Sequence, residues 1–197
     1  MVRVPKVPDD LPLKRYFISY VISSYSSPTP FTLNYPQSTS SSHNTYLLGW
    51  QLLGRSSAAA YTHVLIAPTP ARCIEIDVWW DARPGRGVPI VTHGWTLSKS
   101  VLFVDVCAAI GAGVKRIGDA EDGKDWPVLI SLECHVPLVH QDELVRIMVE
   151  CWGEMLVQGE MEGMHGETVT PRQLRGRIVL MVGAVCVWRV EWCSSSL

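Results

Sequence analysis

The chain predicts an α/β fold with a largely parallel sheet, and three observations carry that prediction. Short β-branched runs alternate with stretches whose apolar residues recur at helical intervals, in the order β-α-β-β-α-β-α-β. Prolines and glycines punctuate the runs, as at Pro68, Pro70, Pro84, Gly85 and Gly87. Acids, histidines and an asparagine gather at or just beyond the ends of the predicted strands, which is how reacting groups are placed in an α/β barrel.

Leu13 to Ser19 predicts a short strand. From Tyr20 to Ser40 the chain is rich in Ser, Thr, Pro and Tyr without periodicity, which predicts a loop of about twenty residues, long for a connection inside a compact domain. Ser56 and Ser57 offer caps to a helix running from Ala58 to about Ile66, and Pro68 and Pro70 end it. A strand from Arg72 to Val78 and a turn over 84–87 lead into a strand from Val88 to Thr92. Leu97 to Val114 then carries Leu102, Val106 and Ile110 at helical spacing. Val128 to Leu132 has strand length and β-branched residues. Gln141 to Leu156 predicts a helix with Leu144, Ile147, Met148, Cys151 and Met155 on one stripe, and Ile178 to Val182 a last strand.

An apolar fraction of 47% over 197 residues supplies the core of one domain. A net charge of -2 produces no field that would draw nucleic acid or an anionic membrane, so no nucleic-acid partner is expected. Met1 to Asp10 carries prolines and charges in place of an apolar leader, and Ile178 to Val190, broken by Gly183 and Arg189, is too short to span a bilayer. These features predict a cytoplasmic protein. Six cysteines without CxxC spacing read as small core residues, not disulfides or zinc ligands.

Glu75 and Asp77 are one residue apart on a strand, so both project from one face. Such a pair is unremarkable on a solvated edge strand, but Cys73, Ile74, Ile76, Val78 and Trp79 make both faces here substantially apolar. Adjacent carboxylates in that setting need a cation. Glu133 repeats the pattern at the end of another apolar run, and Asn44 adds an amide oxygen. Four oxygen donors without cysteine favour Ca²⁺ over Zn²⁺; Mg²⁺ takes the same ligand types, but a multi-carboxylate cage suits the flexible coordination of calcium better. His43 adjoins Asn44, and His93 follows a predicted strand, so two imidazoles stand beside the carboxylates as an acid/base pair. His63, His135, His140 and His165 lack that company and read as surface or supporting residues. A zinc hydrolase built on His43 and His93 is disfavoured because no HExxH-like pair is present.

The pieces FIS (Phe17 to Ser19), SSHNTYLLG (Ser41 to Gly49), QLLGRSS (Gln51 to Ser57), RCIEIDVW (Arg72 to Trp79), PIVTHGWTL (Pro89 to Leu97), PVLISLE (Pro127 to Glu133) and QLRGRIVL (Gln173 to Leu180) stand in an order that resembles the X region of eukaryotic phosphoinositide-specific phospholipase C. The resemblance implies a (β/α)₈ barrel split into X and Y halves, of which this chain looks like the X half alone, an incomplete barrel with parallel strands. It implies that Asn44, Glu75, Asp77 and Glu133 hold Ca²⁺ and that His43 and His93 are the catalytic histidines. The implied reaction is cleavage of a phosphatidylinositol phosphodiester to diacylglycerol and inositol phosphate through a cyclic phosphate, with Glu75 as the base. The implied partners are a phosphoinositide lipid, a peripheral contact at the inner membrane face, and a complementary Y half.

The resemblance divides the chain into an extension (1–12), an X-type catalytic region (13–182) and an unmatched tail (183–197). Tyr20 to Ser40 interrupts the pattern, and joining Ser19 to Ser41 would restore it; the stretch is either an inserted loop or translated non-coding sequence. Where the family carries lysines that contact ring phosphates, this chain has Met181, Val182 and Gly183. A half barrel also leaves two sheet edges unpaired. These departures set a second reading beside the enzyme: a non-catalytic fragment that binds a head group or a protein.

Overall fold

The β-branched runs meet in one seven-stranded sheet, and a two-stranded pair lies beside it. The structure, a computed structural model, describes residues 9–13, 17–21, 37–42, 44–48, 55–68, 70–94, 98–118, 126–158 and 168–182. In chain order the elements are β1 (Phe17–Val21), β2 (Gln37–Ser42), β3 (Leu47–Leu48), β4 (Arg55–Ser56), α1 (Ala59–Ile66), β5 (Ala71–Asp81), β6 (Val88–Val91), β7 (Val101–Leu102), α2 (Phe103–Gly118), β8 (Val128–His135), α3 (Gln141–Trp152) and β9 (Ile178–Val182).

Five strands run parallel in the order β1-β2-β5-β8-β9. The far half of β5 carries an antiparallel extension, with β6 paired to it and β7 to β6. β5 outruns its predicted end at Val78 because Trp79, Trp80 and Asp81 pair with Ile90, Pro89 and Val88. The hairpin turn is closed by Arg83, whose Nε and Nη2 donate to the Asp81 carboxylate at 2.7 and 2.6 Å. Those bonds hold the Asp81 pKa down to about 2.

Two sequence expectations change at the N-terminal side. Tyr20 to Ser40, predicted as loop, has strands at both its ends: Tyr20 and Val21 belong to β1 and Gln37 to Ser40 to β2, side by side and parallel. Residues 22–36 between them lie outside the described residues. A parallel connection needs a dozen or more residues, which this span supplies, and Ile18, Tyr20 and Val21 have the side chains that strands favour. β2, not the FIS segment, therefore leads into Asn44. β1 also pairs the β2 edge that a bare half barrel would leave open.

The helices follow their apolar periodicity but begin and end differently. α2 starts at Phe103, six residues past the predicted Leu97, because Val101 and Leu102 pair with Val91 and Ile90. Its buried face, Phe103, Val106, Cys107, Ile110, Val114 and Ile117, recurs at helical spacing. α3 stops at Trp152, where Gly153 takes φ +50°, and Trp152 Nε1 donates to the Cys107 carbonyl at 2.8 Å. Neither predicted serine caps α1: Ser56 pairs with Leu47 in the two-stranded sheet, and Ala58 holds the cap position without a side-chain bond. α1 packs close to α2, since a Cβ on Gly113 would stand 2.8 Å from Leu65 Cδ1.

Arg72 ties α1 to the sheet. It is buried, and its Nη1 donates to the carbonyls of Leu65 and Ala71 at 2.9 Å each. Burial pulls its pKa down to about 10, so the guanidinium stays charged at neutral pH. Among the described residues, no helix is long and apolar enough to cross a membrane.

The N-terminal segment is fastened to the segment before β9. Asp9 accepts from Arg172 Nη2 at 2.7 Å and Arg175 Nη2 at 2.5 Å, and Leu13 N donates to the Val169 carbonyl at 2.7 Å. The two arginines hold the Asp9 pKa down to about 2. A carboxyl with a depressed folded-state pKa contributes stability above its unfolded value, and that contribution is lost as pH falls through the folded one. Amide exchange at Leu13, corrected for the intrinsic pH dependence, should be constant from pH 7 to 5 and should lose protection as pH approaches 2. Asp9→Asn should show about a tenfold loss at neutral pH; an unaltered Leu13 amide in that variant would show that the carboxylate does not anchor the segment.

Tyr61, on α1, is fully buried, and its hydroxyl has no hydrogen-bond partner among the described residues. A buried, unsatisfied hydroxyl costs about 1–3 kcal/mol. Tyr61→Phe should therefore leave stability unchanged or raise it by about 1 kcal/mol in urea unfolding. A loss of stability on that scale would mean that the hydroxyl has a partner in solution.

Candidate functional site

The site follows from strand register. Asp77 on β5 stands opposite Glu133 on β8, and Glu75 opposite Ser131. Neighbouring parallel strands point registered residues to the same face, and residues two apart on one strand share that face. Ligand atoms of Glu75, Asp77 and Glu133 accordingly all lie within 4.8 Å of one another. Glu75 is half-buried, Asp77 buried and Glu133 exposed. β8 runs on to His135, three residues beyond its predicted end, so Glu133 lies within the strand and not after it.

Two like charges at roughly 5 Å repel by about 3 kcal/mol at an effective dielectric near 20. Three carboxylates at that spacing, one of them buried, form an arrangement that a divalent cation relieves. The donor set is all oxygen, which suits a hard cation better than zinc.

Asn44 stands in the turn that leaves β2. Ser42 is registered with Ile74 of β5, which brings the turn to the level of the carboxylates. Asn44 is buried and takes φ +49°, a left-handed conformation that asparagine tolerates better than most residues. The turn is held by Leu47 N donating to the Asn44 carbonyl at 3.0 Å and Thr45 Oγ1 to Ser42 Oγ at 2.8 Å. His43, the other predicted residue of this turn, lies outside the described residues.

His93 follows β6, and the preceding Thr92 N donates to the Asp77 carbonyl at 3.2 Å. The histidine is thus hung from the strand that carries Glu75 and Asp77. It lines an open pocket of about 350 Å³ with Trp79, Trp80, Ile90, Thr92 and Gly94, a volume within the range of small-ligand sites.

Several side chains at this end of the sheet were not singled out from sequence. Tyr46 reaches His93: its hydroxyl accepts from His93 N at 2.6 Å. The Tyr61 phenol is held protonated first by burial and then by the charge of Asp77. His135, set aside as a supporting residue, stacks on Trp79 with ring centres 4.0 Å apart and puts Nε2 4.0 Å from Glu133 Oε2. His140 stacks on Trp80 at 3.9 Å. The signal available in sequence was only the placement of Tyr46 two residues after Asn44 and of Trp79 two residues after Asp77.

Similarity to known proteins places the chain in a family. The description "Phosphatidylinositol-specific phospholipase C, X domain" matches residues 33–183. The chain is 40% identical over 141 residues to 1-phosphatidylinositol 4,5-bisphosphate phosphodiesterase delta-4 of Bos taurus, covering 71% of this chain and 16% of the relative. It is 38% identical over 141 residues to the delta-1 protein of Homo sapiens, covering 72% of this chain and 17% of that one. The crystal structure of L. pealei PLC21 superposes with a TM-score of 0.60 at 38% identity, over 71% of this chain and 17% of that one. The chain therefore spans 16% to 17% of the length of these relatives, and its parallel strands are an incomplete (β/α)₈ barrel. It belongs to the phosphatidylinositol-specific phospholipase C family and carries the X domain of that family.

Proposed function

We propose that this chain is the calcium-dependent catalytic X region of a phosphoinositide phospholipase C, acting on phosphatidylinositol or its 4,5-bisphosphate in intracellular lipid signalling. The observation that carries the reading is the convergence of Glu75 and Asp77 on β5 with Glu133 on β8 within 4.8 Å, where β5 also holds the amide that precedes His93. Asn44, Glu75, Asp77 and Glu133 would hold Ca²⁺, which when bound lowers the pKa of a substrate hydroxyl and offsets phosphoryl charge. Glu75 removes the proton from the inositol 2-hydroxyl, His43 stabilises charge on the phosphoryl group, and His93 protonates the diacylglycerol oxygen as it leaves. Water then opens the cyclic phosphate with the acid and base roles reversed.

Leu138 and Val139, which follow β8 in a 3₁₀ turn, are 71% and 82% exposed. Two adjacent exposed apolar side chains just beyond the end of β8 support a peripheral contact with a bilayer, which this reading puts at the cytoplasmic face. Met181 and Val182 occupy the part of β9 where the family carries phosphate-contacting lysines, so discrimination for the 4- and 5-phosphates is weak by this reading. The chain spans 16% of that relative's length, and the second reading beside the enzyme is a non-catalytic fragment that binds a head group or a protein.

The deciding experiment is release of soluble inositol phosphate from labelled phosphatidylinositol vesicles with this chain as it stands. Release that a chelator abolishes supports the enzyme, and no release from folded, calcium-loaded chain supports the fragment. His93→Ala should slow release by about 10²- to 10⁴-fold and leave calcium affinity intact, as loss of a general acid does. Glu75→Gln should weaken both calcium affinity and rate; retention of both would remove Glu75 from the site.

A further inference from the structure

We infer that Tyr46 is the positioning residue for His93, and that its hydroxyl sets the distance between the turn holding Asn44 and the loop holding His93. The inference rests on the phospholipase reading for its catalytic consequence, while the coupling itself is a matter of geometry. Tyr46 is 1% exposed and lies two residues after Asn44. Its own carbonyl accepts from Ser57 N at 2.8 Å, which fixes the main chain from which the ring projects. At the far end of the ring the hydroxyl accepts from His93 N at 2.6 Å and lies 3.3 Å from Ser98 Oγ. One rigid side chain thus spans from the Asn44 turn to both His93 and Ser98.

The amides of the His93 loop are held from two sides. Thr92 N donates to the carbonyl of Asp77, and His93 N, the next amide, donates to Tyr46. The backbone origin of the His93 side chain is therefore referenced to two elements that carry candidate cation ligands, β5 and the Asn44 turn. A proton donor must sit within a fraction of an ångström of its target, and a misplacement of about 1 Å can cost roughly 10²-fold in rate. The short bond to Tyr46 supplies that precision at the His93 main chain. A tyrosine that merely filled the core would need its ring but not its hydroxyl.

Tyr46→Phe keeps the ring and removes the acceptor. In the whole chain, exchange of the His93 amide should quicken by about tenfold or more, and calcium affinity should stay within about twofold. In the vesicle assay kcat should fall by about 10- to 100-fold with KM little changed. In a His93→Ala background the same substitution should cost almost nothing further, because a positioning residue has nothing left to position. Losses that multiply, or a calcium affinity that falls with the rate, overturn the inference and make Tyr46 a structural or ligand-supporting residue. If the wild-type chain shows no turnover, the phospholipase reading of this chain fails and the exchange measurement decides alone. A His93 amide that quickens in Tyr46→Phe then upholds the coupling, and one that does not change removes it.

Discussion

The pairing of β5 with β8 is the constraint on which the rest depends. Seven registered pairs, from Cys73 with Leu129 to Trp79 with His135, place Asp77 directly opposite Glu133 and leave Glu75 one step back on the same face. A shift of one residue in that register would turn the carboxylates of one strand to the opposite face from those of the other and scatter the site. The register is held because Ile74, Ile76, Val78, Ile130 and Leu132 are almost completely buried between the sheet and its helices. Hydrophobic burial along the strands thus opposes the repulsion that the three acids bring to one place, and a bound cation would remove the conflict.

Around that pairing the chain is arranged to keep the acids close and the histidine near them. α1 lies behind β5 and is secured by the buried Arg72 at its end and the close approach of Leu65 to Gly113. The β5–β6 hairpin, closed by the Asp81–Arg83 pair, returns the chain so that Thr92 meets the Asp77 carbonyl and His93 emerges beside it. On the other flank β2 brings in the Asn44 turn, and Tyr46 joins the two flanks. Stability and site geometry therefore draw on the same contacts, as sites on rigid elements do.

The carboxylates were legible in the sequence because two acids spaced to share one face of an apolar strand are costly to bury unless a cation offsets them. The same reasoning reached Glu133, and His93 was read from its place just after the predicted strand Val88 to Thr92. The helices were legible from their stripes, but their starts were not: Val101 and Leu102 fit a helical period as well as a strand pair, and only their long-range pairing with β6 decides. Nor did local pattern show that the two ends of 20–40 lie side by side as parallel strands, since strand pairing across a long connection leaves no periodic trace. The roles of Tyr46, Tyr61 and the Trp79–His135 stack were hidden for the same reason. Each joins residues remote in sequence, and hydrophobic periodicity reports only which face is buried, not what a buried hydroxyl or ring meets there.

The central claim is that Glu75, Asp77 and Glu133 form one cation site at the end of the β5–β8 pair, and calorimetric titration of the chain with calcium tests it most directly. We expect a single site whose affinity falls by at least about tenfold in Asp77→Asn, while the unfolding temperature without calcium is kept or raised, because one charged ligand and its repulsion are lost from an otherwise intact cage. Titration with no binding heat, or binding that Asp77→Asn leaves untouched, would contradict it.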